Sequence, residues 1–352
     1  MSPSLVGKPA SRVLVVVPTL NEASTIESVL RQLLEGLENV SDLRVVVADG
    51  ASSDRTVAIV KQLSLEFPAL EVINNPKRNQ SSAINLAVRK WGCGAEYLIR
   101  CDAHASYPPG YISQLCATLD RTGADSVVVP MDSVGHTCLE KAIAWVSDTP
   151  LGSGGAAHRG GRRSGYVDHG HHAIFRLSKF VEAGGYDETF SHNEDAEFDC
   201  RLGALDGRIF LDADIRIEYH PRSTFGGLFR QYFKYGRGRS RTVRRHRGTM
   251  RLRQFAVPSH ILLSIFALGI LPLTAIPVLW PLAYILVLGF FSLLLSIRNK
   301  SPCGLLAGPA AFVMHTAWAF GFFWGLVSVR EVQWKMERRS DLSTPPRQAT
   351  YD

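Results

Sequence analysis

Asp102 and His104 stand two residues apart in the stretch YLIRCDAHASYPP, which covers residues 97–109. A carboxylate and an imidazole at this spacing after a strand can hold a divalent metal ion, Mn²⁺ or Mg²⁺, although they also suit an ordinary surface turn. Because imidazole is a poor ligand for Mg²⁺, ligation by His104 would favour Mn²⁺. His220, which precedes a proline in RIEYHPRS, is a candidate third ligand.

Glu194 and Asp195 form a second pair, in SHNEDAEFDCRL at residues 191–202. Acidic residues at the start of a predicted helix are favoured by the helix dipole, which is sufficient reason for their presence. A carboxylate held there can also act as a general base that removes a proton from a hydroxyl group. The pair alone does not decide between these roles.

Further acidic residues follow two other predicted strands. Glu22 lies after the first strand in PTLNE, and Asp49 and Asp54 follow the second strand in ADGASSD. With Asp102 they give three acidic clusters on one edge of a sheet, which would repel one another unless a cation or hydrogen-bond donors lie among them. Arg78, in NPKRNQ, is either a surface charge or a group that reaches a bound base or diphosphate.

The elements that must position these residues alternate along the first 130 residues. Apolar runs predict strands at 12–18, 44–49, 70–74, 96–101 and 124–130, and the intervening patterns predict helices at 26–37, 54–63 and 80–91. This alternation predicts an α/β fold with a mostly parallel sheet. Its ligand site is expected at the carboxyl ends of the strands.

The C-terminal third has a different character. Residues 255–297 and 304–329 contain no Asp, Glu, Lys or Arg, and they lack the polar face that helices of soluble proteins usually show. The first stretch suits two membrane spans with a turn near Pro277–Pro281, and the second suits one more. The sequence leaves the count open between two and four.

The positive charge of the chain is local. The net charge is +7, and residues 230–253 contain ten Lys or Arg and no Asp or Glu. This run directly precedes the apolar region, so the positive-inside rule places the preceding residues in the cytoplasm, on a plasma (inner) membrane. We expect the run to attract anionic lipid headgroups or a phosphate-bearing lipid, and we expect no nucleic-acid partner because no recognition motif accompanies it.

The six cysteines show no pairing pattern. They stand at positions 93, 101, 116, 138, 200 and 303, with no Cys-x-x-Cys pair and no zinc spacing. Most lie in apolar context, which favours buried thiols in a reducing compartment over disulfides.

An ordered set of motifs between about residues 11 and 245 resembles the family 2 glycosyltransferases, which are inverting enzymes of the GT-A fold that use nucleotide sugars. The motifs are VVVPTLNE (15–22), VVVADGASSDRT (45–56), NQSSAINLAV (79–88), YLIRCDAHASYPPGYI (97–112), FVEAGGYDETFSHNEDAEFDCRL (180–202) and FRQYFKYGRG (229–238). Within this family the stretches CDAHA, GSGGAAHR (152–159) and DHGHHAIFR (168–176) are most similar to the membrane-bound glucosyltransferases of succinoglycan-type exopolysaccharide assembly.

The resemblance implies roles for individual residues. Asp195 would be the general base, with Glu194 beside it in the Glu-Asp pair. Asp102 would anchor the metal, although His104 replaces the second Asp that the family usually presents. The donor nucleotide would contact Pro18, Glu22, Asp49, Asp54, Arg78 and Asp102.

An acceptor site is implied as well. The segment 152–175 has the length and glycine content of an acceptor lid, in which His171 and His172 would line the pocket or begin a strand. The stretch QYFKY is a softened form of the family's Gln-x-x-Arg-Trp motif and favours transfer of a single sugar. The residues expected to bind acceptor or diphosphate there are Gln231, Lys234 and Arg237.

These inferences predict a metal-dependent transferase that moves a hexose, glucose from UDP-glucose, onto a polyprenyl-diphosphate-linked saccharide in exopolysaccharide biosynthesis. The alternatives are sugar transfer to polyprenyl phosphate, and an inactive membrane-anchored nucleotide-sugar sensor or scaffold. The expected divisions are an N-terminal tail (1–10), the GT-A domain (11–228), a basic amphipathic juxtamembrane segment (229–254), a multi-pass transmembrane region (255–329) and a polar tail (330–352).

Overall fold

A computed structural model describes residues 13–35, 43–155, 159, 162–250 and 252–333, without the side chains of His172 and Arg253. The expected tail at 1–10 and most of the polar tail lie outside these residues. The first part of the chain forms β1 (Val13–Thr19), α1 (Ile26–Leu34), β2 (Leu43–Asp49), α2 (Thr56–Glu66), β3 (Leu70–Asn74), α3 (Gln80–Trp91), β4 (Tyr97–Arg100), β5 (Ala105–Ser106), α4 (Tyr111–Thr122), β6 (Ser126–Val128) and β7 (Met131–Ser133).

The remainder forms α5 (Cys138–Ser147), α6 (Pro150–Ser153), β8 (Gly165–Val167), β9 (His172–Arg176), α7 (Leu177–Glu182), α8 (Glu194–Ala204), β10 (Ile209–Leu211), β11 (Ile217–Tyr219), α9 (Phe225–Arg245), α10 (Leu252–Gly269), α11 (Leu279–Arg298) and α12 (Ala307–Ser328). Short 3-10 helices at Ile276–Val278 and Pro302–Leu306 precede α11 and α12. The domain boundary expected at 228/229 falls inside α9.

The main sheet has eight strands in the order β3-β2-β1-β4-β9-β6-β10-β8. Strands β1 to β4 pair in parallel, whereas β9 runs antiparallel between β4 and β6, and β8 runs antiparallel to β10. A second sheet has the order β5-β11-β7. The prediction of an α/β fold with a mixed, mostly parallel sheet is confirmed.

The apolar run of β1 is continuous because both faces of the strand are covered. Val13, Val15 and Val17 join the core on the side of α1, α2 and α4, whereas Leu14 and Val16 join the core on the side of α3, α7 and α8. Alternate residues of a strand point to opposite faces, so an amphipathic pattern would have left one of these cores incomplete.

Helices α9 and α12 pack at very close range through glycines. A Cβ atom at Gly321 would overlap the backbone of Phe233 in α9, and one at Gly236 would overlap the carbonyl of Trp318 in α12. Arg244 of α9 donates to the carbonyl oxygens of Gly325 (2.7 Å) and Val329 (2.6 Å), at and just beyond the end of α12, where carbonyl groups lack backbone N–H donors from the helix itself. Much of α12 is therefore in contact with protein.

Two C-terminal helices are long and apolar enough to cross a membrane by length and composition, Ile276–Arg298 and Pro302–Ser328, and they indicate membrane anchoring. The apolar part of α10, Gln254–Gly269, is shorter. Many large side chains of α10 and α11 are exposed, among them Phe266, Leu286 and Phe290. The turn between these two helices lies at 270–278, close to its expected position.

The expectation of unpaired thiols is wrong for two of the six cysteines. Cys138, the first residue of α5, forms a disulfide with Cys303 in the 3-10 helix before α12. The two residues are 165 positions apart, so only the packing of α5 against the C-terminal helices brings them together. Of the remaining four cysteines, only Cys101 is buried.

The expected attraction of the arginine run for lipid stays a prediction, and part of the run is bound by protein groups. Arg239 donates to the Thr249 carbonyl oxygen (2.7 Å), and Arg241 donates to the Thr189 carbonyl oxygen (2.7 Å). Arg245 forms an ion pair with Asp187. Together with Arg244, these side chains stabilise the fold.

Candidate active site

The carboxyl ends of β2, β1 and β4 lie side by side, as the sequence predicts, and they enclose a cavity of about 180 Å³. We call it the small cavity. Pro18 lines it at the end of β1, and Glu22, Arg78, Asp102 and His104 line it from the loops that follow the strands. Five of the residues expected to bind donor or metal therefore meet at one place.

Asp49 and Asp54 are not among the residues that line the small cavity, and their expected contact with the donor stays a prediction. The buried carboxylate of Asp49 accepts hydrogen bonds from the backbone N–H (2.9 Å) and hydroxyl (2.5 Å) of Ser52. Asp54 accepts from the backbone N–H of Ala23 (3.0 Å) and from Thr56, and these bonds, that of the Thr56 hydroxyl foremost, lower the pKa of Asp54. Both acids therefore shape the loops that carry Glu22.

Arg78 is fixed to the loop after β2. It has a positive φ of 55°, and its Nε donates to the carbonyl oxygen of Gly50 (2.8 Å) while one of its terminal nitrogens donates to that of Ala51 (3.1 Å). The side chain forms part of the wall of the small cavity, which places its charge where a base or a diphosphate would lie.

Asp102 and His104 connect the small cavity to a second one, of about 1050 Å³, which we call the large cavity; both residues line both cavities. Oδ1 of Asp102 accepts a hydrogen bond from Gln80 (3.1 Å), and Nδ1 of His104 lies 3.0 Å from Oε1 of Glu22. The hydrogen bond to Glu22 raises the pKa of His104 above its ordinary value, although partial burial opposes this.

His171 lies beside Asp102, with Nε2 3.6 Å from Oδ2, and it lines the large cavity. Burial lowers the pKa of His171 to about 4, despite the attraction of Asp102 for its charged form.

His172 begins β9, as the sequence allows, and its side chain is outside the described residues. The segment expected to be a lid contains β8 as well as loop, and residues 156–158, 160 and 161 of it lie outside the described part.

His220 is not brought to Asp102. Its Nδ1 lies 3.1 Å from the carbonyl oxygen of Val134, its ring packs on His136, and it lines neither cavity. The role of third metal ligand is therefore not supported, because β11 pairs with β7 and directs His220 toward the loop after β7.

Glu194 and Asp195 open α8 and line the large cavity opposite Asp102. Burial raises the pKa of Glu194 to about 7, and the neighbouring charge of Asp195 acts in the same direction. Oδ1 of Asp195 accepts two short hydrogen bonds, from Arg100 (2.6 Å) and from the Tyr186 hydroxyl (2.7 Å). The orientation of this carboxylate is therefore fixed.

Arg100 is the functional residue that the sequence motifs do not reveal. It is the last residue of β4, is 5% exposed, and lies among three acids: Asp195 at 2.6 Å, Asp102 at 3.7 Å and Glu194 at 3.8 Å. One buried cation thus connects Asp102 to the pair at the start of α8. The sequence did contain a signal for an acidic partner of Arg100, because an arginine inside an apolar strand is rarely buried without one.

Of the three residues of α9 that were expected to bind acceptor or diphosphate, two line a cavity and one does not. Gln231 and Lys234 line the large cavity, and Gln231 donates to the hydroxyl groups of Tyr219 (2.7 Å) and Tyr235 (3.0 Å). Arg237 is exposed on α9 and lines neither cavity, so the structure does not support its expected contact with acceptor or diphosphate.

The residues present fit a divalent cation with an incomplete set of protein ligands. Within the described ranges there is no group of three or more His, Cys, Asp or Glu arranged to hold a metal. Asp102 would supply a carboxylate oxygen and His104 an imidazole nitrogen, a mixed set that suits Mn²⁺ better than Mg²⁺. The remaining positions would be filled by water or by phosphate oxygens of a substrate.

The profile of the family described as Glycosyl transferase family 2 matches residues 14–183. The succinoglycan biosynthesis protein ExoA of Rhizobium meliloti (strain 1021) is 42% identical over 320 residues, which are 90% of this chain and 96% of that protein. A glucuronosyltransferase of Methanococcus voltae, named as acting on dolichyl N-acetyl-alpha-D-glucosaminyl phosphate, is 21% identical over 89% of this chain and 96% of its own length.

Two solved structures share the fold. The mannosyltransferase PcManGT of Pyrobaculum calidifontis, in complex with GDP-Man and Mn²⁺, has a TM-score of 0.55 and 19% identity, covering 91% of this chain and 88% of that one. GalNAc-T7, with UDP, GalNAc and Mn²⁺, has a TM-score of 0.52 and 14% identity, covering 72% of this chain and 51% of that one. The extent of the sequence match to ExoA decides the family: this chain is a glycosyltransferase and belongs to family 2.

Proposed function

We propose that this protein transfers a hexose, glucose from UDP-glucose, onto a polyprenyl-diphosphate-linked saccharide during exopolysaccharide biosynthesis, with inversion at the sugar carbon. The observation that carries the proposal is the junction of the two cavities. Asp102 stands at the exit of the small cavity, Asp195 faces it in the large cavity, and Arg100 bridges the two acids.

The small cavity is the donor site in this proposal. Glu22 offers carboxylate oxygen to base or ribose hydrogen-bond donors, and Arg78 offers positive charge to the diphosphate. Asp49 and Asp54 act indirectly, because they hold the loops that present Glu22. A divalent metal at Asp102 and His104 would neutralise the charge that develops on the leaving diphosphate.

Asp195 is the general base in this proposal. An inverting transfer needs a carboxylate that accepts the proton of the acceptor hydroxyl on the side opposite the leaving group. Arg100 and Tyr186 hold Asp195 in one orientation, so the base is in place before the acceptor arrives. The Arg100 charge also favours the ionised form that a base requires.

The acceptor side is the large cavity, which ends against the apolar helices. Met314 and Trp318 of α12 and Val257 of α10 line it together with Asp195. An acceptor carried by a membrane lipid could therefore present its sugar to the base while its lipid stays near α10–α12. In this proposal the protein is a multi-pass plasma-membrane protein with its catalytic domain on the cytoplasmic side.

The name of the Rhizobium relative supports exopolysaccharide synthesis, and that of the Methanococcus relative supports a lipid-linked acceptor. A second candidate is transfer to polyprenyl phosphate itself, which is supported by a polyprenol monophosphomannose synthase of Mycolicibacterium smegmatis that is 29% identical over 34% of this chain. That acceptor is already anionic and would not need the base.

The test is sugar transfer by the purified full-length protein. Radiolabelled UDP-glucose and other UDP-sugars are supplied with bacterial lipid extract and Mn²⁺, Mg²⁺ or EDTA, and the anomeric configuration of the product is determined. We expect metal-dependent transfer with inversion, and a loss of at least about 100-fold in D195N with UDP affinity retained. Near-normal transfer by D195N would favour polyprenyl phosphate as acceptor, and no turnover with any donor would favour a scaffold.

A further inference from the structure

The basic run around α9 has two parts with different surroundings. Arg239, Arg241, Arg244 and Arg245 are bound to protein groups, as described above. Three cations nearer the start of α9 are different: they line the large cavity, and among the described residues none of them has a recorded hydrogen bond or ion pair. We call Arg222, Arg230 and Lys234 the cavity cations.

None of the cavity cations has an acid within ion-pair distance among the described residues, although Asp102, Glu194 and Asp195 also line the large cavity. Burial lowers the pKa of His192, on the same cavity wall, to about 4, and the charges of Lys234 and Arg222 act in the same direction. Like charges held around one cavity repel unless an anion lies between them. The large cavity thus suits a ligand with at least one phosphate group.

The same cavity also has an apolar wall that belongs to the C-terminal helices. Val257 of α10 and Met314 and Trp318 of α12 line it. A free nucleotide or inorganic phosphate would gain nothing from these side chains. A ligand that joins a phosphate to a hydrocarbon chain uses both walls at once.

We propose that the cavity cations bind the phosphate groups of a polyprenyl-linked acceptor, and that the first isoprene units lie against Val257, Met314 and Trp318. This rests on the proposed function in one respect, that the large cavity is the acceptor side. The Arg222, Arg230 and Lys234 side chains then set the position of the acceptor sugar relative to Asp195, because they hold the phosphate end of the same molecule.

Binding is measured without turnover, on the full-length protein in detergent, with saturating UDP and Mn²⁺ so that the donor site is filled. The probes are farnesyl diphosphate, farnesol and inorganic diphosphate. We expect farnesyl diphosphate to bind at least about tenfold more tightly than either of the others, because only it contacts both walls. Equal binding of inorganic diphosphate would overturn the lipid part, and equal binding of farnesol would overturn the phosphate part.

The variants are R230Q and K234Q, with R247Q as the matched control. Arg247 is an exposed cation of the same basic run that lines neither cavity, so R247Q makes the same charge change. We expect each cavity variant to weaken farnesyl diphosphate binding by about tenfold or more and K234R to retain most of it. An equal loss of farnesyl diphosphate affinity in R247Q would mean that the charges attract the ligand without a specific site. A loss of UDP affinity in R230Q or K234Q, with farnesyl diphosphate affinity unchanged, would assign these cations to the donor. Either result overturns the proposal.

These outcomes are separable from the fate of the proposed function. If the protein transfers no sugar yet binds farnesyl diphosphate through Arg230 and Lys234, the proposed phosphate site is supported and the proposed activity is contradicted. If the protein transfers sugar while R230Q and K234Q leave the KM for lipid extract unchanged, the proposed activity is supported and the phosphate site at the cavity cations is contradicted.

Discussion

The guanidinium of Arg100 lies 2.6 Å from Oδ1 of Asp195 and 3.7 Å from Oδ1 of Asp102, so one buried side chain serves both ends of the reaction centre. Asp102, just after β4, and Asp195 in α8 are about ninety residues apart in sequence and would otherwise repel each other in a poorly solvated space. The contacts of Arg100 therefore fix the distance between Asp102 and Asp195.

Replacing Arg100 with Met should impair both stability and catalysis. We expect a loss of about 3–5 kcal/mol in unfolding free energy, since three carboxylates lose their shared partner, and a loss of about 100-fold in kcat from misplacement of the base. In R100K, which keeps the charge, the loss should be smaller.

The pH–rate profile separates positioning from a purely structural role. Without the Arg100 charge the carboxylates protonate more readily, so the acidic limb of the profile should move to higher pH. The measurement compares R100M, R100K and the exposed control R247M. An acidic limb that does not move in R100M would contradict the role given to Arg100.

Glu194 should make stability depend on pH. Its pKa in the folded protein is raised to about 7 by burial and by Asp195, against an ordinary value of 4.5. The charged form of Glu194 therefore destabilises the folded protein. This destabilisation is absent below about pH 4.5, grows as the pH rises to about 7, and is complete above pH 7. E194Q should melt at a higher temperature than the wild type above pH 7, with the difference vanishing below pH 4.5. The exposed variant E218Q should show no such trend.

His104 can be tested by titrating Mn²⁺ against UDP binding. If His104 is a ligand, H104A should raise the Mn²⁺ concentration for half-maximal UDP binding by about 100-fold. Unchanged midpoints in H104A would make His104 a bystander, and D102N should abolish the Mn²⁺ dependence in either case.

The contact between α9 and α12 predicts a steric effect at one glycine. A Cβ at Gly321 would overlap the backbone of Phe233, which cannot move without separating the helices. G321A should therefore cost about 1–3 kcal/mol, measured as a lower Tm in detergent. Gly289 in α11 has nothing within 4 Å of such a Cβ, so G289A should be neutral or slightly stabilising.

The sequence predicted best the elements whose signals are local. β3 and α3 have the predicted bounds, 70–74 and 80–91, because apolar pattern and flanking turn residues mark both ends. The common edge of β2, β1 and β4 also followed, because parallel strands joined by helices bring their carboxyl ends together.

What the sequence did not predict depends on contacts between distant segments. The disulfide between Cys138 and Cys303, the partners of Arg100 and the turn of His220 toward Val134 each depend on which elements pack together. The hydrogen bonds of Asp49 to Ser52 within its own loop were also not predicted, and its donor contact stays a prediction from the family pattern.

The glycine contact between α9 and α12 also limits how this enzyme can be handled. The face of α9 that carries Gly236 and Phe233 is covered by Trp318 and Gly321, and the wall of the large cavity includes Met314. A chain cut after α9 would lose that cover and expose an apolar groove beside its reaction centre. We therefore expect that removing the C-terminal helices would also disturb the large cavity, so the membrane anchor and the candidate site depend on the same contact.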